Sequence, residues 1–289
     1  MSHTPSNFRI DAASVQTAEC AIVIPCYNEE NRFNSRAFLH FVKRALNVHL
    51  VFVDDGSKDK TLEILTMLKC IAGLNITVLS LSKNAGKAEA VRQGLIYASQ
   101  RGFTFLGYWD ADLATPLDAI EDFVKVGRKL DAVDVVFGSR RSLLGHRIQR
   151  SVARRAVSRT CALLARQAVR LPIGDTQCGA KLLRNTQAVR DALAHAFTAG
   201  WLFDVELFAR ISSKVAEPSY AFYELPLLEW EEVAGSKVSG TTIVKSGFRM
   251  LRLIAEIRLG LPKFERAETF SVTLKEIEAR SDRTLQPAA

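Results

Sequence analysis

Nowhere in the chain do about 20 apolar residues follow one another unbroken, the length a membrane-spanning helix needs, so any membrane contact is expected to be peripheral. Residues 1–19 lack the apolar core of a signal peptide and are expected to form a flexible N-terminus. The cysteines Cys20, Cys26, Cys70, Cys161 and Cys178 are odd in number and never spaced C-x-x-C. That number and spacing indicate neither a disulfide framework nor a zinc site, and they suit a cytoplasmic protein. No G-x-G-x-x-G follows the first apolar run, which argues against a dinucleotide dehydrogenase.

What is present is positive charge and a regular rhythm. The net charge of +8 favours anionic partners, whether phosphates, nucleic acid or an acidic membrane face, and does not choose among them. Short apolar runs rich in β-branched residues (Cys20-AIVI-Pro25, His49-LVFVD, Ile76-TVLSL, Phe105-LGYWD, Asp134-VVFGS) alternate with amphipathic segments such as Lys60-TLEILTMLKCIAG and Gly86-KAEAVRQGLIYAS. This is the pattern of an α/β protein with a mainly parallel sheet flanked by helices. After residue 140 the sequence turns basic and helical in period, with one later strand candidate at Leu225-PLLEW.

In such sheets ligands bind beyond the carboxyl ends of the strands, where this chain places Pro25-CYNEE, Asp54-DGS, Ser82-KNAGK, Asp110-AD and Gly138-SRR. An Asp-x-Asp leaving a strand can aim both carboxylates at one hard cation; in isolation it reads as well as two solvated side chains in a turn. Gly56 is suited to positive φ and Asp59 to capping the following helix. Two acidic strand ends together with Lys83 and Lys87 around Asn84-Ala85-Gly86 point to a joint site for a base, a ribose and phosphates.

The blocks Ala21-IVIPCYNEE, Val53-DDGSKDKT, Asn84-AGKAEAV and Asp110-ADLATP resemble those of family 2 glycosyltransferases. Gly138-SR, Asp175-TQCGAKL, Trp201-LFDVEL and Trp230-EEVAGSKV resemble the dolichyl-phosphate and polyprenyl-phosphate glucosyltransferase branch, over about residues 20 to 262. The resemblance implies a GT-A fold in residues 20–235, a basic amphipathic helical extension over 236–265 and a charged tail, expected to fray, over 266–289. It also implies Mg2+ or Mn2+ as cofactor, and transfer of a hexose from a nucleotide diphosphate sugar to a polyprenyl or dolichyl phosphate with inversion. Ala114 stands where mannose synthases of this kind carry glutamine, which points to UDP-glucose over GDP-mannose.

By the same resemblance, Pro25, Tyr27, Glu29, Asp54 and Asp55 line the nucleotide pocket, Lys87 approaches the diphosphate, Asp110 the sugar or ribose, and Asp112 with Asp110 the metal. Pro25 and Tyr27 read equally as strand-end packing. An isoprenoid monophosphate is already anionic, its second pKa being about 6, so the reaction needs no strong base. Arg140, Lys181, Ser236 and Lys237 are the candidates for holding that phosphate, with Asp175 orienting Arg140 or Lys181. Asp204 and Glu206 stand where related transferases keep an acid near the sugar, or else are helix N-terminal carboxylates. The alternative function is a soluble transferase acting on a hydroxyl, which would use one of them as base. Arg147, Arg150 and Arg154 at helical spacing, and the amphipathic segment Ile243–Leu259, suit an anionic membrane face or ordinary packing. Nucleic acid is not an expected partner, because binding it leaves the carboxylates without purpose; oligomeric state is left open.

Overall fold

The five expected strands form as β1 (Cys20–Cys26), β2 (Val48–Asp54), β3 (Ile76–Leu81), β4 (Phe105–Trp109) and β5 (Val135–Ser139). Five more follow: β6 (Arg147–Gln149), β7 (Ala180–Arg184), β8 (Phe222–Pro226), β9 (Glu229–Glu231) and β10 (Leu274–Glu276). The structure, a computed structural model, describes residues 18–45, 47–149, 162–163, 165–233, 247–249, 251–252, 254–255 and 272–278. The main sheet runs β10-β3-β2-β1-β4-β7-β5-β8, with β6 and β9 paired separately. Strands β1 to β4 are mutually parallel, as are β5 and β8, while β7 and β10 run against their neighbours.

Successive residues of each strand face opposite sides, and both sides are apolar because helices cover both. Ala21 and Val23 of β1, Val51 and Val53 of β2 and Tyr108 of β4 join one core layer. Ile22 and Ile24, Leu50 and Phe52, Phe105 and Trp109 join the other. Helices α1 (Ser35–Arg44), α2 (Thr61–Ala72) and α4 (Ala119–Lys129) supply Phe38, Phe41, Leu65, Leu68, Ile120 and Phe123 to the second layer. Helices α3 (Lys87–Ser99), α5 (Gln187–Leu193) and α6 (Phe203–Ser212) supply Leu95, Val189, Val205 and Phe208 to the first; α7 (Pro218–Ala221) is a single turn before β8. Each fully buried Leu, Ile or Phe stabilises the fold by about 1.5–3 kcal/mol.

Helix starts follow local chemistry. Asn34 Oδ1 accepts from Ala37 N at 3.1 Å and caps α1, whereas the N-cap of α2 is Lys60, with Asp59 one residue earlier accepting from Thr61 N at 3.0 Å. Gly94 lets α3 lie close on β1 and β2: a Cβ there would meet Val23 Cγ1 at 2.5 Å and Val53 Cγ2 at 2.9 Å.

Four expectations are corrected. Arg147 lies in strand β6, not a basic helix, because its segment pairs with β9, Arg147 opposite Glu229; Arg150 and Arg154 lie outside the described residues. The single strand sought at 225–230 is two, with Pro226 ending β8, where it cannot donate to a ladder. Strand β7 was not foreseen. Within the tail expected to fray, β10 pairs with β3, where Tyr97 Oη donates to Glu276 at 2.8 Å and Lys69 Nζ to the Ile277 carbonyl at 2.6 Å. Of the segment 243–259, the described residues show Ile254 buried in the core and Phe248 and Leu251 exposed. No helix among the described residues is long and apolar enough to cross a membrane.

Candidate active site

The carboxyl ends of the parallel strands form one rim. At β1, Pro25 is half-buried at the strand end with Tyr27 beyond it, and the chain is laced to the loop after β2: Asn28 N donates to Ser57 Oγ at 3.0 Å, Glu29 N to Thr61 Oγ1 at 2.7 Å. The Glu29 carboxylate is buried and bound by Arg32, whose guanidinium also lies in the fields of Asp112 and Asp110. Glu29 therefore anchors a cation at the rim.

At β2 both aspartates are buried, and they differ in what they bind. Asp55 accepts from Ala85 N at 2.7 Å, Gly86 N at 2.9 Å and Asn84 Nδ2 at 3.1 Å, so it shapes the loop after β3. Burial nevertheless raises its pKa to about 6, against the lowering effect of the Ala85 and Gly86 bonds. Asp54 accepts from Ser57 N at 3.3 Å through Oδ2, while its buried Oδ1 has no hydrogen-bond partner among the described residues. Burial raises the Asp54 pKa as well, against the Ser57 bonds. Gly56, at φ 65°, lets the two loops touch: a Cβ there would stand 2.6 Å from the Lys83 carbonyl carbon.

At β4, Asp110 Oδ1 and Lys87 Nζ form an ion pair of 2.5 Å, with both side chains partly open to solvent. Burial lowers the Lys87 pKa, but Asp110 and Asp204 more than offset it, so the ammonium stays charged. Asp112 accepts from Ala114 N at 3.1 Å, and its pKa is raised by burial and then by the neighbouring charge of Asp110. Two carboxylates that repel one another on a rim are a hard oxygen donor pair which a dication would relieve, so these residues fit one. Among the described residues no third His, Cys, Asp or Glu completes such a cluster, leaving further positions to ligand oxygens or water.

The unforeseen strand β7 supplies what the sequence did not reveal. Because it runs antiparallel between β4 and β5, its entry loop arrives at the rim. Gly179 is packed so closely that a Cβ on it would overlap the Asp110 carboxylate, and its carbonyl accepts from Asp110 N at 3.0 Å. Asp175 grips Arg140 in a fork, Nε at 2.7 Å and Nη2 at 2.8 Å, and also accepts from Arg140 N at 3.1 Å. Those bonds outweigh burial and hold the guanidinium pKa far above its ordinary value; Arg140 also lies 5.2 Å from the Trp230 ring centre. Cys178 is buried, as expected of a small hydrophobe.

Lys181 is not on the rim. Its side chain is 0% exposed, pairs with Asp204 Oδ1 at 2.9 Å and donates to the Cys178 carbonyl at 2.6 Å, 5.0 Å from the Tyr108 ring centre. It faces inward because β7 places it opposite Tyr108 in the ladder, so it does not reach an acceptor. Burial pushes the Lys181 pKa down and that of Asp204 up. Tyr108 Oη also donates to Asp204 Oδ1. Glu206 latches the loop before α6, accepting from Thr198 N at 2.8 Å, Ala199 N at 2.7 Å and Arg210 Nη2 at 2.5 Å, so its oxygens are occupied by the fold. Ser236 and Lys237 lie outside the described residues.

Residues 21–194 match the family model described as Glycosyl transferase family 2. The chain belongs to that family. Among the curated relatives of this family 2 glycosyltransferase, a dolichyl-phosphate beta-glucosyltransferase of Trichomonas vaginalis is 31% identical over 83% of this chain and 72% of its own. The Homo sapiens dolichyl-phosphate beta-glucosyltransferase is 31% identical over 77% of this chain and 70% of its own. Glucosyl-3-phosphoglycerate synthase of Mycobacterium tuberculosis with UDP superposes at a TM-score of 0.59 and 15% identity, covering 83% of this chain and 81% of that one. The same synthase with Mn2+, UDP and glucosyl-3-phosphoglycerate gives 0.55 at 17% identity, covering 85% and 81%. The fold of this glycosyltransferase is thus of the GT-A type expected.

Proposed function

We propose that this enzyme transfers glucose from UDP-glucose to a dolichyl or polyprenyl phosphate, with inversion and with a divalent cation. The observation that carries the proposal is the rim itself: a buried carboxylate oxygen on Asp54 with no hydrogen-bond partner among the described residues, the Lys87–Asp110 pair and the Asp112 carboxylate all lie beyond the carboxyl ends of the parallel strands β2, β3 and β4, Lys87 at the start of α3. The dolichyl-phosphate glucosyltransferases among its relatives support the sugar and acceptor, and the UDP and Mn2+ complexes of the structural neighbour support the nucleotide and metal.

Asp54 Oδ1 accepts a hydrogen bond from the uracil N–H or a ribose hydroxyl, with Pro25 and Tyr27 beside the base. A hydrogen bond to a charged group is worth about 1.5–3 kcal/mol. Magnesium or manganese held by Asp110 and Asp112 would neutralise the diphosphate as it departs. Lys87 sets a fixed positive charge next to the same phosphates. Arg140, held by Asp175, presents its guanidinium to the acceptor phosphate, and Ser236 and Lys237, outside the described residues, are the further candidates for binding it. The phosphate is its own nucleophile, so the protein aligns it with the anomeric carbon and need not deprotonate it. The acceptor implies work at the cytosolic face of an anionic membrane, which the +8 charge suits.

Purified protein incubated with labelled UDP- and GDP-sugars, Mg2+ or Mn2+ and a short polyprenyl phosphate should give a glucosyl phosphoprenol from UDP-glucose, identified by mass. Glucosylation of alcohols with the phosphoprenol untouched would overturn the assignment of acceptor, and exclusive use of GDP-mannose that of donor.

A further inference from the structure

From the rim inward runs a line of alternating charge whose inner half, Asp204 and Lys181, has no part in the transfer described above. Asp110 binds Lys87, Lys87 lies in the fields of both Asp110 and Asp204, and Asp204 is paired with Lys181. Lys87 stands at the first position of α3, Asp204 in the first turn of α6 and Lys181 in β7, so three separate elements meet here. Lys87 thus has one bonded carboxylate, Asp110, and a second, Asp204, near enough to attract it. Asp204 is 5% exposed, and its Oδ1 already takes the Lys181 ammonium and the Tyr108 hydroxyl.

We propose that Lys181 is a positioning residue: by satisfying Asp204 from below, it leaves Lys87 directed at Asp110 and hence at the diphosphate. A buried carboxylate stripped of its ion-pair partner strongly seeks another cation, and Lys87 is the neighbouring one. The same arrangement gives Asp204 a role other than proton abstraction, since it is buried and its Oδ1 is already bonded to Lys181 and Tyr108. This inference rests on the nucleotide-sugar reading of the rim.

The test is UDP binding by calorimetry with Mn2+ present and again without it, on folded protein verified by circular dichroism and thermal melting. Lys181→Met should weaken UDP binding about tenfold, the loss of one charge-assisted contact. Adding Asp204→Asn to Lys181→Met removes the competing carboxylate, keeps an acceptor for Tyr108, and should recover most of that loss. Tyr108→Phe serves where Lys181→Met does not fold: it removes one donor from Asp204 and should weaken UDP binding in the same direction but less. If the double variant binds UDP no better than Lys181→Met, or if Lys181→Met binds as the wild type does, Lys181 is merely structural and the proposal is overturned. Wild-type protein that binds no UDP with or without Mn2+ overturns the nucleotide reading and this inference together, and is told apart by failing before any substitution is made.

Discussion

Gly179→Ala is the sharpest perturbation the site offers. The backbone there lies outside the left-handed region, so alanine meets no φ penalty, but its methyl group would occupy the space of the Asp110 carboxylate. The carboxylate is the far end of a side chain 33% exposed and can swing outward, whereas Gly179 is tied to Asp110 N through its carbonyl. What is lost is the 2.5 Å bond to Lys87 and the alignment with Asp112. A charge-assisted bond is worth about 1.5–3 kcal/mol, and the exposure of both partners reduces it to about 1–2 kcal/mol. UDP affinity measured by calorimetry with Mn2+ should therefore fall about 5- to 30-fold, with little change in melting temperature. Gly94→Ala is the control: its methyl presses on Val23 and Val53 in the core, so it should cost about 1–3 kcal/mol of stability and leave UDP affinity unchanged. Gly179→Ala protein that binds UDP like the wild type would show that the position of Asp110 does not matter to the nucleotide, and the reasoning would collapse.

Other substitutions probe neighbouring parts of the molecule. Arg140→Lys cannot keep the fork to Asp175 and should raise the KM for the phosphate acceptor about tenfold or more while UDP affinity holds, as initial-rate measurements would show. Glu206→Gln weakens the latch on Arg210 and on the loop before α6, so urea unfolding should report a loss of about 2–4 kcal/mol with kcat nearly intact; lost turnover at unchanged stability would restore Glu206 as a base. His49, half-buried on β2 and bonded to Thr77 Oγ1 at 2.9 Å, has its pKa lowered by desolvation to about 4. A depressed folded-state value means that its contribution is full above the unfolded pKa near 6.5 and is lost as pH falls toward 4, roughly 3 kcal/mol in all. His49→Phe should flatten the fall in urea stability between those two pH values, and an unaltered fall would exclude His49 as its source.

How much of this was legible beforehand depends on the kind of contact. The parallel strands β1 to β5 are apolar on both faces, so each reads as a short continuous run whose end is marked by the first polar residues, and those residues are the rim. Strand β7 was hidden because AKLLR places a lysine amid four residues too short to show a period, and only its pairing with Tyr108 and Asp204 explains why that lysine is inside. Local pattern says that a lysine belongs on the surface; a partner 23 positions later in another element overrides it. The same limit hid β10, whose charged composition resembles a loose tail until β3 is seen beside it. The closeness of Gly179 to Asp110 likewise exists only after β7 has been inserted next to β4.

Strand β10 gives the molecule a particular order of assembly. Thr273 and Ser82, bonded where β10 meets β3, are 191 residues apart, so this flank of the sheet stays open until the residues through 276 have been synthesised. Until then β3 shows bare amide and carbonyl groups to any extended peptide in reach, and the arrival of 274–276 closes that template. A chain cut short before residue 272 would keep its catalytic rim but should be prone to stack strand upon strand with its own copies.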